Sequence, residues 1–466
     1  MQRILAIAWL TWKAALRFKL FLVIAVLLIL AVVGLPLVIK DDGTARGFTQ
    51  IILTYTLSAI TALLGLSTLW LSCGTLARDI EECQIQVVAT KPIARWQIWL
   101  GKWLGLVTLN AVLLAISGGC VFGLLQWRAT KLPAAEQKIL REQVLVARGS
   151  AKEPVNPAEI DAETGRVLQE RLKSSPVDKA DLQEVNKQIR EQVKAALQIV
   201  PPGYLRTWKI DLGFAKNHLV GKPLQLRIKF NSAQKSASGT FLAVWQVGVP
   251  GKTKLWQSET MSLAPSTVGE QVFHEFPIPA DLYDADGVLT ISVVNPNNTG
   301  LLFPIEDGLE VLYPEGSFAL NFMRGLAIIL CWMALLAALG LMAASYMSFP
   351  VASFFAMAMM LVVFSSGSLA ESVAFGSVAA GDEESGQPGH SAADLVLIPV
   401  FKGILVVVSF ASNFSPVDAL STGRSITWGE LGRAFAQIVL LLGGIMGAIG
   451  ITLFSRRELA TAQGTQ

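Results

Sequence analysis

Residues with the chemistry of a catalytic or metal site are few in this chain, and their spacing is unfavourable. The three histidines, His218, His274 and His390, are scattered and have no Cys or Asp partners at ligand spacing. The stretch Gly248–Thr253 (GVPGKT) matches the end of a phosphate-binding loop, but a complete loop requires glycine where Gln246 stands. We therefore expect a hairpin turn there, and a chain that is not an enzyme and binds no metal or cofactor.

A charged stretch lies between two uncharged runs, in Ala77–Lys102 (ARDIEECQIQVVATKPIARWQIWLGK). Its first half mixes acids and glutamines with Ile80, Ile85 and Val88, which is typical of a short amphipathic helix on a membrane surface. A helix that only anchored the chain would not need the acids, because the anionic lipids of an inner leaflet repel them. The acids therefore require a different explanation.

Three tryptophans follow this acidic part. After a turn at Pro92 the chain continues as RWQIWLGKWLG, which places Trp96, Trp99 and Trp103 where it enters the next uncharged run. Tryptophan is enriched at the boundary between lipid and water. We therefore expect these three side chains to anchor the chain at the membrane interface.

The composition indicates a membrane protein. Hydrophobic residues make up 52% of the chain and charged residues 16%, with a mean hydropathy of +0.51, far from the average of soluble domains. Six uncharged runs reach the roughly 20 residues that a helix needs to cross the hydrocarbon core. They are Leu20–Ile39, Ile51–Cys73, Trp103–Leu125, Gly325–Met347, Pro350–Ala370 and Ala434–Phe454. We interpret the first as an uncleaved helix, because it lacks an A-x-A-like site before Lys40.

Lysine and arginine near the runs predict the orientation. Four cations precede the first run without an acid among them, and two follow the last: Arg3, Lys13, Arg17, Lys19, Arg456 and Arg457. We therefore predict a multi-pass protein of the cell membrane with both termini in the cytoplasm. Because six spans cross the membrane alternately, Ala77–Lys102 is then inside the cell. Residues 127–318 and the loop Glu371–Asp394 are outside.

One apolar segment does not fit a full span. Asp394–Ser412 is short and is interrupted by Pro399 and Lys402. As a seventh span it would move Arg456 to the outer side, so we predict a re-entrant or interfacial helix over residues 394–412. Broken segments at membrane depth need other protein or water to satisfy their backbone groups.

The exported region has two parts, which differ in the spacing of their hydrophobic residues. In residues 127–200 apolar residues such as Val185, Ile189 and Val193 recur at three and four, which predicts a helical stalk. In residues 201–318 stretches such as LQLRIKF and VLTISVV alternate, which predicts a β-sandwich. Its strand pattern resembles that of jelly-roll modules. Such modules often bind sugars, and Trp245, Trp256 and Phe273 are candidate stacking residues. Packing in the core is the simpler explanation of these aromatic residues.

Two stretches carry a resemblance to a known family. A basic N-terminus, two spans, an acidic segment ending in Lys-Pro-Ile-x-Arg and LGKWLG at the third span resemble the permease subunits of type-2 ABC transporters. The C-terminal NFSPVDALSTGRSITWGELGRAF, a last span and FSRRELA are similar to the end of the same permeases. The resemblance covers residues 1–126 and 319–466. The family often has Gly-Thr where Cys83-Gln84 stands here.

The resemblance implies that Ala77–Lys102 is a coupling helix. Asp79, Glu81 and Glu82 would face a groove on a separate cytoplasmic ATPase, and Lys91, Pro92 and Arg95 would fix the elbow. ATP and Mg would bind to that partner, and a second permease chain, identical or different, would complete the transporter. The implied fold is a helical membrane bundle of six spans with a re-entrant helix, interrupted between spans three and four by the exported stalk and sandwich.

Two functions from different classes fit this sequence. In the first, the chain is the membrane half of an exporter for a lipid-, glycan- or peptide-type substrate, in contact with membrane lipid and with no role for nucleic acid. In the second, it is an anchor or signal relay whose sandwich binds an envelope or glycan partner. Gly443 and Gly447 have the spacing that lets helices approach closely, which serves pairing with a second chain or packing within this one.

Overall fold

The structure is a computed structural model that describes residues 2–17, 19–38, 44–84, 93–154, 157–174, 182–232, 234, 236, 238–266, 272–305, 307–375, 394–412 and 414–457. The chain separates into two compact units, Met1–Val146 with Ser317–Gln466, and Ala147–Gly316. We call them the helical unit and the sheet unit. Most of the acidic loop predicted at Glu371–Asp394 lies outside the described residues.

The helices are numbered α1 to α16 and the strands β1 to β12 in chain order. The helices are Gln2–Arg17, Lys19–Ile29, Leu35–Val38, Ala45–Glu81, Arg95–Ala129, Ala134–Ile139, Pro157–Ser174, Leu182–Gln198, Lys216–Leu219, Phe318–Tyr346, Phe349–Phe364, Ser366–Phe375, Asp394–Ser412, Pro416–Ser421, Trp428–Ala434 and Gly444–Arg456. The π-helical segments Leu30–Gly34, Leu140–Val144 and Phe435–Gly443 follow α2, α6 and α15. The strands are Val146–Ala151, Ile199–Val200, Leu205–Asp211, Leu224–Ile228, Asn231–Ser232, Phe241–Val247, Trp256–Gln257, Met261–Leu263, His274–Ile278, Val288–Val294, Leu301–Leu302 and Leu309–Ser317.

Four helices of the described chain are long and apolar enough to cross a membrane, as expected of a membrane protein. They are Thr49–Glu81, Arg95–Ala129, Phe318–Tyr346 and Trp428–Arg456, and they correspond to the second, third, fourth and sixth predicted spans. The regions of the first and fifth predicted spans contain shorter apolar helices, Val23–Gly34 and Phe349–Val363. The interrupted segment Asp394–Ser412 is helical, with Pro399 inside it.

The core of the helical unit lies among α4, α5 and α10. Leu57 and Leu64 of α4, Leu125 of α5 and Ile329 of α10 are completely buried in one apolar cluster. A polar side chain fixes where α4 begins. Thr44 accepts a hydrogen bond from the Gly47 N–H and caps this helix.

The boundary of the helical unit differs from the predicted one, because residues 127–146 belong to it rather than to the exported stalk. Helix α5 continues to Ala129, and α6 turns back toward the start of α4. There the Ala45 N–H donates to Glu136 Oε2 at 2.8 Å, and Leu140 and Val144 pack on Ala45. These contacts attach the segment to the membrane helices.

The described residues of the sheet unit form three sheets. Their strand orders are β1–β12–β4–β9, β3–β10–β6–β7 with β8 paired to β6, and β2–β11–β5. The alternating stretches at residues 224–230, 241–249 and 288–294 contain β4, β6 and β10, as their period predicts. Inward-facing residues of the first two sheets, among them Leu226 and Trp245, belong to one apolar core.

A pair of helices, α7 and α8, also belongs to the sheet unit. The apolar residues at helical spacing lie in α8, where Ile189 and Val193 pack against Ile160 of α7. Asp161 of α7 and Arg190 of α8 are exposed and form an ion pair at 2.9 Å. This small apolar seam explains why the segment is helical despite its polar composition.

Candidate functional site

The Asp79 carboxylate forms an ion pair that joins the end of α4 to the start of α5. Lys102 Nζ lies 2.6 Å from Asp79 Oδ2 and donates to the Thr75 carbonyl oxygen at 2.7 Å. Lys102 is only 6% exposed, whereas the Asp79 side chain keeps 33% of its surface exposed. A buried ammonium needs such acceptors, because its desolvation is otherwise very costly. Asp79, predicted as a docking carboxylate, is therefore engaged within the chain.

Glu81 holds the start of α11. Its Oε1 accepts a hydrogen bond at 2.8 Å from the N–H of Phe349, the first residue of that helix. The first N–H groups of a helix lack an intrahelical acceptor and carry partial positive charge, so a carboxylate stabilises them. The Arg78 guanidinium lies 4.4 Å from the centroid of the Phe349 ring, a cation–π contact. The end of α4 is thus attached to α11 by two contacts.

Arg95 binds the carbonyl groups at the end of the last helix, as Glu81 binds the N–H group at the start of α11. Its Nη1 donates to the carbonyl oxygens of Phe454, Ser455 and Arg457 at 2.9, 2.9 and 2.8 Å. Arg457 Nη1 in turn lies 3.4 Å from the Ala344 carbonyl oxygen, near the end of α10. The last carbonyl groups of a helix are unsatisfied and partly negative, so an arginine there supplies both hydrogen bonds and charge.

These contacts converge on one end of the helical unit, which we call the helix-end junction. It consists of Asp79, Glu81, Arg95, Lys102, Phe349 and Arg457. The junction holds the ends of α4, α10 and α16 and the starts of α5 and α11. The end of α4 and the start of α5 are therefore attached to several other apolar helices.

The chain leaves α4 at an exposed turn. Helix α4 ends at Glu81, and Cys83 adopts a left-handed backbone with φ of +58°, a conformation that favours glycine. Glu82 is exposed at this turn and accepts a hydrogen bond from Gln84 Nε2 at 2.6 Å. Lys91 and Pro92 lie outside the described residues. Glu82 is thus the predicted docking carboxylate that the junction does not use.

The three predicted interface tryptophans occupy different environments. Trp96 is 47% exposed, as an interfacial anchor requires. Trp103 is half-buried and donates through Nε1 to the Ala334 carbonyl oxygen at 2.9 Å. Trp99 is 3% exposed and packs in the apolar core. The prediction of an interfacial position is therefore corrected for Trp99, because the helix face that carries it is turned toward other helices.

The small residues of the last helix explain the position of Trp99. A Cβ atom at Gly447 would lie 3.3 Å from the Trp99 ring, and one at Gly450 would lie 2.9 Å from Trp99 Nε1. Glycine therefore makes the space for this indole. Gly443 has only a carbonyl oxygen of its own helical segment nearby, that of Ile438. Within the described chain, Gly447 serves intrachain packing.

The predicted stacking residues of the sheet unit also have different environments. Trp245 is completely buried, with its ring 6.0 Å from that of Phe303, so it offers no face to a ligand and the stacking prediction is corrected. Trp256 is partly buried and stacks on Phe276 at 6.3 Å. Phe273 lies under the Arg227 guanidinium at 3.9 Å. The core explanation holds for Trp245 because its strand faces the shared core.

The remaining candidate groups have structural roles. His274 Nε2 is 2.8 Å from the Ala264 carbonyl oxygen, and His390 lies outside the described residues. Gly248–Thr253 connects the antiparallel strands β6 and β7, with φ of +108° at Gly248. Among the described residues no group of three or more His, Cys, Asp or Glu side chains has the arrangement of a metal site.

One polar contact inside the apolar helices was not predicted. Asn110 of α5 is 2% exposed, and its Oδ1 accepts a hydrogen bond from Thr68 Oγ1 of α4 at 3.0 Å. Its Nδ2 donates to the Leu106 carbonyl oxygen at 2.9 Å. An asparagine inside an uncharged run is the signal that could have identified this interhelical contact.

In comparisons with known proteins, no family model, curated protein or solved structure matches the chain.

Proposed function

We propose that this chain is the membrane permease subunit of a type-2 ABC transporter. The observation that carries the proposal is the helix-end junction. A coupling segment must transmit a push from an ATPase to the membrane helices, and the segment between α4 and α5 is attached at both ends to that junction through Asp79, Glu81 and Arg95. Glu82, exposed at the turn, would contact the ATPase, together with Lys91 and Pro92 in the elbow.

The proposed orientation places the junction in the cytoplasm. The ends of α10 and of the last helix meet at the junction through Arg457 and Ala344. At the opposite end, Asn321 near the start of α10 accepts from the Ile426 N–H at 2.7 Å and donates to the Arg424 carbonyl oxygen at 2.7 Å. The start of α10 is therefore in contact with residues 424–426, which supports the proposed orientation because that orientation puts both segments outside.

The full proposal has six spans and an exported domain. The shorter apolar helices Val23–Gly34 and Phe349–Val363 would supply the first and fifth spans. The sheet unit would form an exported β-sandwich, which its shared apolar core supports. ATP and Mg would act in a separate cytoplasmic ATPase, and two permease chains would move a lipid-, glycan- or peptide-type substrate by alternating access.

Affinity purification of the full-length protein in mild detergent tests this function. We expect an ATPase with a complete phosphate-binding loop to co-purify, because this chain cannot supply the nucleotide chemistry. The alternative, an anchor or signal relay, predicts an envelope protein or a glycan and no ATPase. Recovery of the chain without any ATPase, from membranes in which the complex is preserved, would contradict the proposal.

A further inference from the structure

The N-terminal helix α1 is held tightly along one side of α5. A Cβ atom at Gly101 would lie 2.7 Å from Ile7 Cβ, and one at Gly105 would lie 2.8 Å from the Ala8 carbonyl oxygen. Further along, Trp12 Nε1 donates to Thr108 Oγ1 at 2.9 Å. Residue numbers rise together along both helices, so α1 and α5 run in the same direction. The two glycines allow backbone-level contact, which fixes the face that α1 turns outward.

The outward face of α1 combines two cations with large apolar side chains. Trp9 is 59% exposed and Leu16 is 52% exposed, while Lys13 and Arg17 are exposed one helical turn apart. Lys13 Nζ lies 5.6 Å from the centroid of the Trp9 ring. Neither α1 nor α5 contains an acidic residue. We call Trp9, Lys13, Leu16 and Arg17 the basic stripe.

The basic stripe lies deeper along α5 than the buried Lys102. Thr108, beside Trp12, follows Lys102 by six residues, a rise of about 9 Å toward the apolar middle of α5. Beyond Thr108 the exposed surface of α5 is apolar, since Val112 and Ile116 are 42% and 60% exposed. Lys13 and Arg17 thus stand beside an apolar part of α5. Cations at such a level need an anion or a route to the headgroups.

The direction of the Lys13 side chain favours an anion that lies toward the N-terminal end of α1. Side chains on a helix lean toward its N-terminus, and Lys13 does so by extending over Trp9, one turn earlier. A tryptophan ring beside two cations offers an apolar wall for an acyl chain and charge for a phosphate. A soluble acidic protein would match the cations and leave Trp9 and Leu16 without an apolar partner.

We infer that the basic stripe binds the phosphate headgroup of an anionic phospholipid from the cytoplasmic leaflet. This inference rests on the proposed orientation of the termini and is independent of the ATPase. Lys13 and Arg17 would pair with the phosphate, and Trp9 and Leu16 would contact the upper part of an acyl chain. The lipid would fill the side of α1 that α5 leaves open.

Native mass spectrometry of the full-length protein tests the inference. Phosphatidylglycerol and phosphatidylcholine with the same acyl chains are titrated into wild type, K13Q/R17Q, the charge-retaining K13R/R17K and a control, K252Q/K254Q, on an exposed turn of the sheet unit. Each cation near anionic lipid contributes about fivefold, so we expect K13Q/R17Q to lose about 25-fold in phosphatidylglycerol affinity. K13R/R17K and the control should bind as wild type does, and phosphatidylcholine binding should not change.

Three titration results would overturn the inference, and so would one cross-linking result. They are equal binding of both lipids by wild type, unchanged phosphatidylglycerol binding by K13Q/R17Q, and displacement of the lipid by millimolar inorganic phosphate alone. Cross-linking between two copies through Cys introduced at Lys13, without any dependence on lipid, would assign the stripe to a second chain instead. Because Lys13 and Arg17 are exposed, the variant should melt at the wild-type temperature. ATPase co-purification should be the same in all variants, so the two proposals fail separately.

Discussion

Gly450 and Trp99 are matched across two helices, since a Cβ atom on the glycine would lie 2.9 Å from the indole Nε1 and 3.1 Å from the Met342 Cα. Gly450→Val should therefore overpack this contact and destabilise the protein by about 1–3 kcal/mol. Gly444→Val, where nothing lies within 4 Å of the added Cβ, is the matched control. Thermal unfolding in detergent measures both, and rescue of Gly450→Val by Trp99→Leu would confirm the contact.

The Asp79–Lys102 pair should matter for stability. Lys102→Met leaves Asp79 without its cation, and Asp79→Asn leaves a buried ammonium with neutral acceptors only, among them the Thr75 carbonyl oxygen. We expect Asp79→Asn to cost about 3 kcal/mol, at the low end for a buried pair because Asp79 is partly exposed. A double-mutant cycle that includes the exchanged pair Asp79→Lys, Lys102→Asp measures the coupling. Additive single effects would show that the two groups do not interact.

Cys83 is strained in its left-handed conformation, so Cys83→Gly should stabilise the end of α4. A non-glycine residue costs about 1–2 kcal/mol there, part of which the greater freedom of glycine in the unfolded chain offsets. We therefore expect a gain of up to about 1 kcal/mol. Cys83→Ala keeps the Cβ and should gain nothing. Equal melting temperatures for the glycine and alanine variants would mean that the turn is not strained.

The sheet unit should fold by itself. Expressed as Ala147–Gly316, it should be soluble, show strand signal by circular dichroism and melt in one cooperative transition. Trp245→Ala should cost about 3–5 kcal/mol, because it empties a completely buried site. Trp256→Ala, at a partly buried site, should cost less. Similar losses for both variants would place the core elsewhere.

The proposed topology predicts opposite reactivity for two introduced cysteines. In a background with Cys83 and Cys120 replaced by Ser, a cysteine at Ser236 should react with an impermeant maleimide on intact spheroplasts. A cysteine at Ala462 should react only after the membrane is permeabilised. The reverse pattern would place the termini outside and would remove the parity argument.

Sequence alone predicted the elements that have a clear period or length. The alternating residues of β4, β6 and β10, the helical spacing in α8 and four of the long apolar helices are all present. Strand β1 (VARGSA) was missed, because its place beside β12 depends on a partner far along the chain and its own alternation is weak. A short stretch of sequence contains little information about a partner strand that is distant in the chain.

The candidate site was predictable in composition but not in its contacts. The acids were noticed because of their charge in an uncharged setting, and Arg95 was chosen because of the family resemblance. The sequence does not show that Asp79 meets Lys102 or that Glu81 meets Phe349. Trp99 was wrongly predicted at the interface. Its burial depends on Gly447 and Gly450 in a distant helix, which the local sequence does not show. Only the tertiary structure shows that Glu82 is left free of the junction.

The coupling role of the segment between α4 and α5 is tested most directly by charge reversal at Glu82. ATPase retention and ATP hydrolysis are measured in complexes purified with wild type, Glu82→Lys and the control Glu259→Lys, an exposed acid of the sheet unit. Like charges brought together at an interface cost several kcal/mol, so Glu82→Lys should lose ATPase retention at least about tenfold, while the control and membrane insertion remain unchanged. Full retention with coupled hydrolysis in Glu82→Lys would contradict the account.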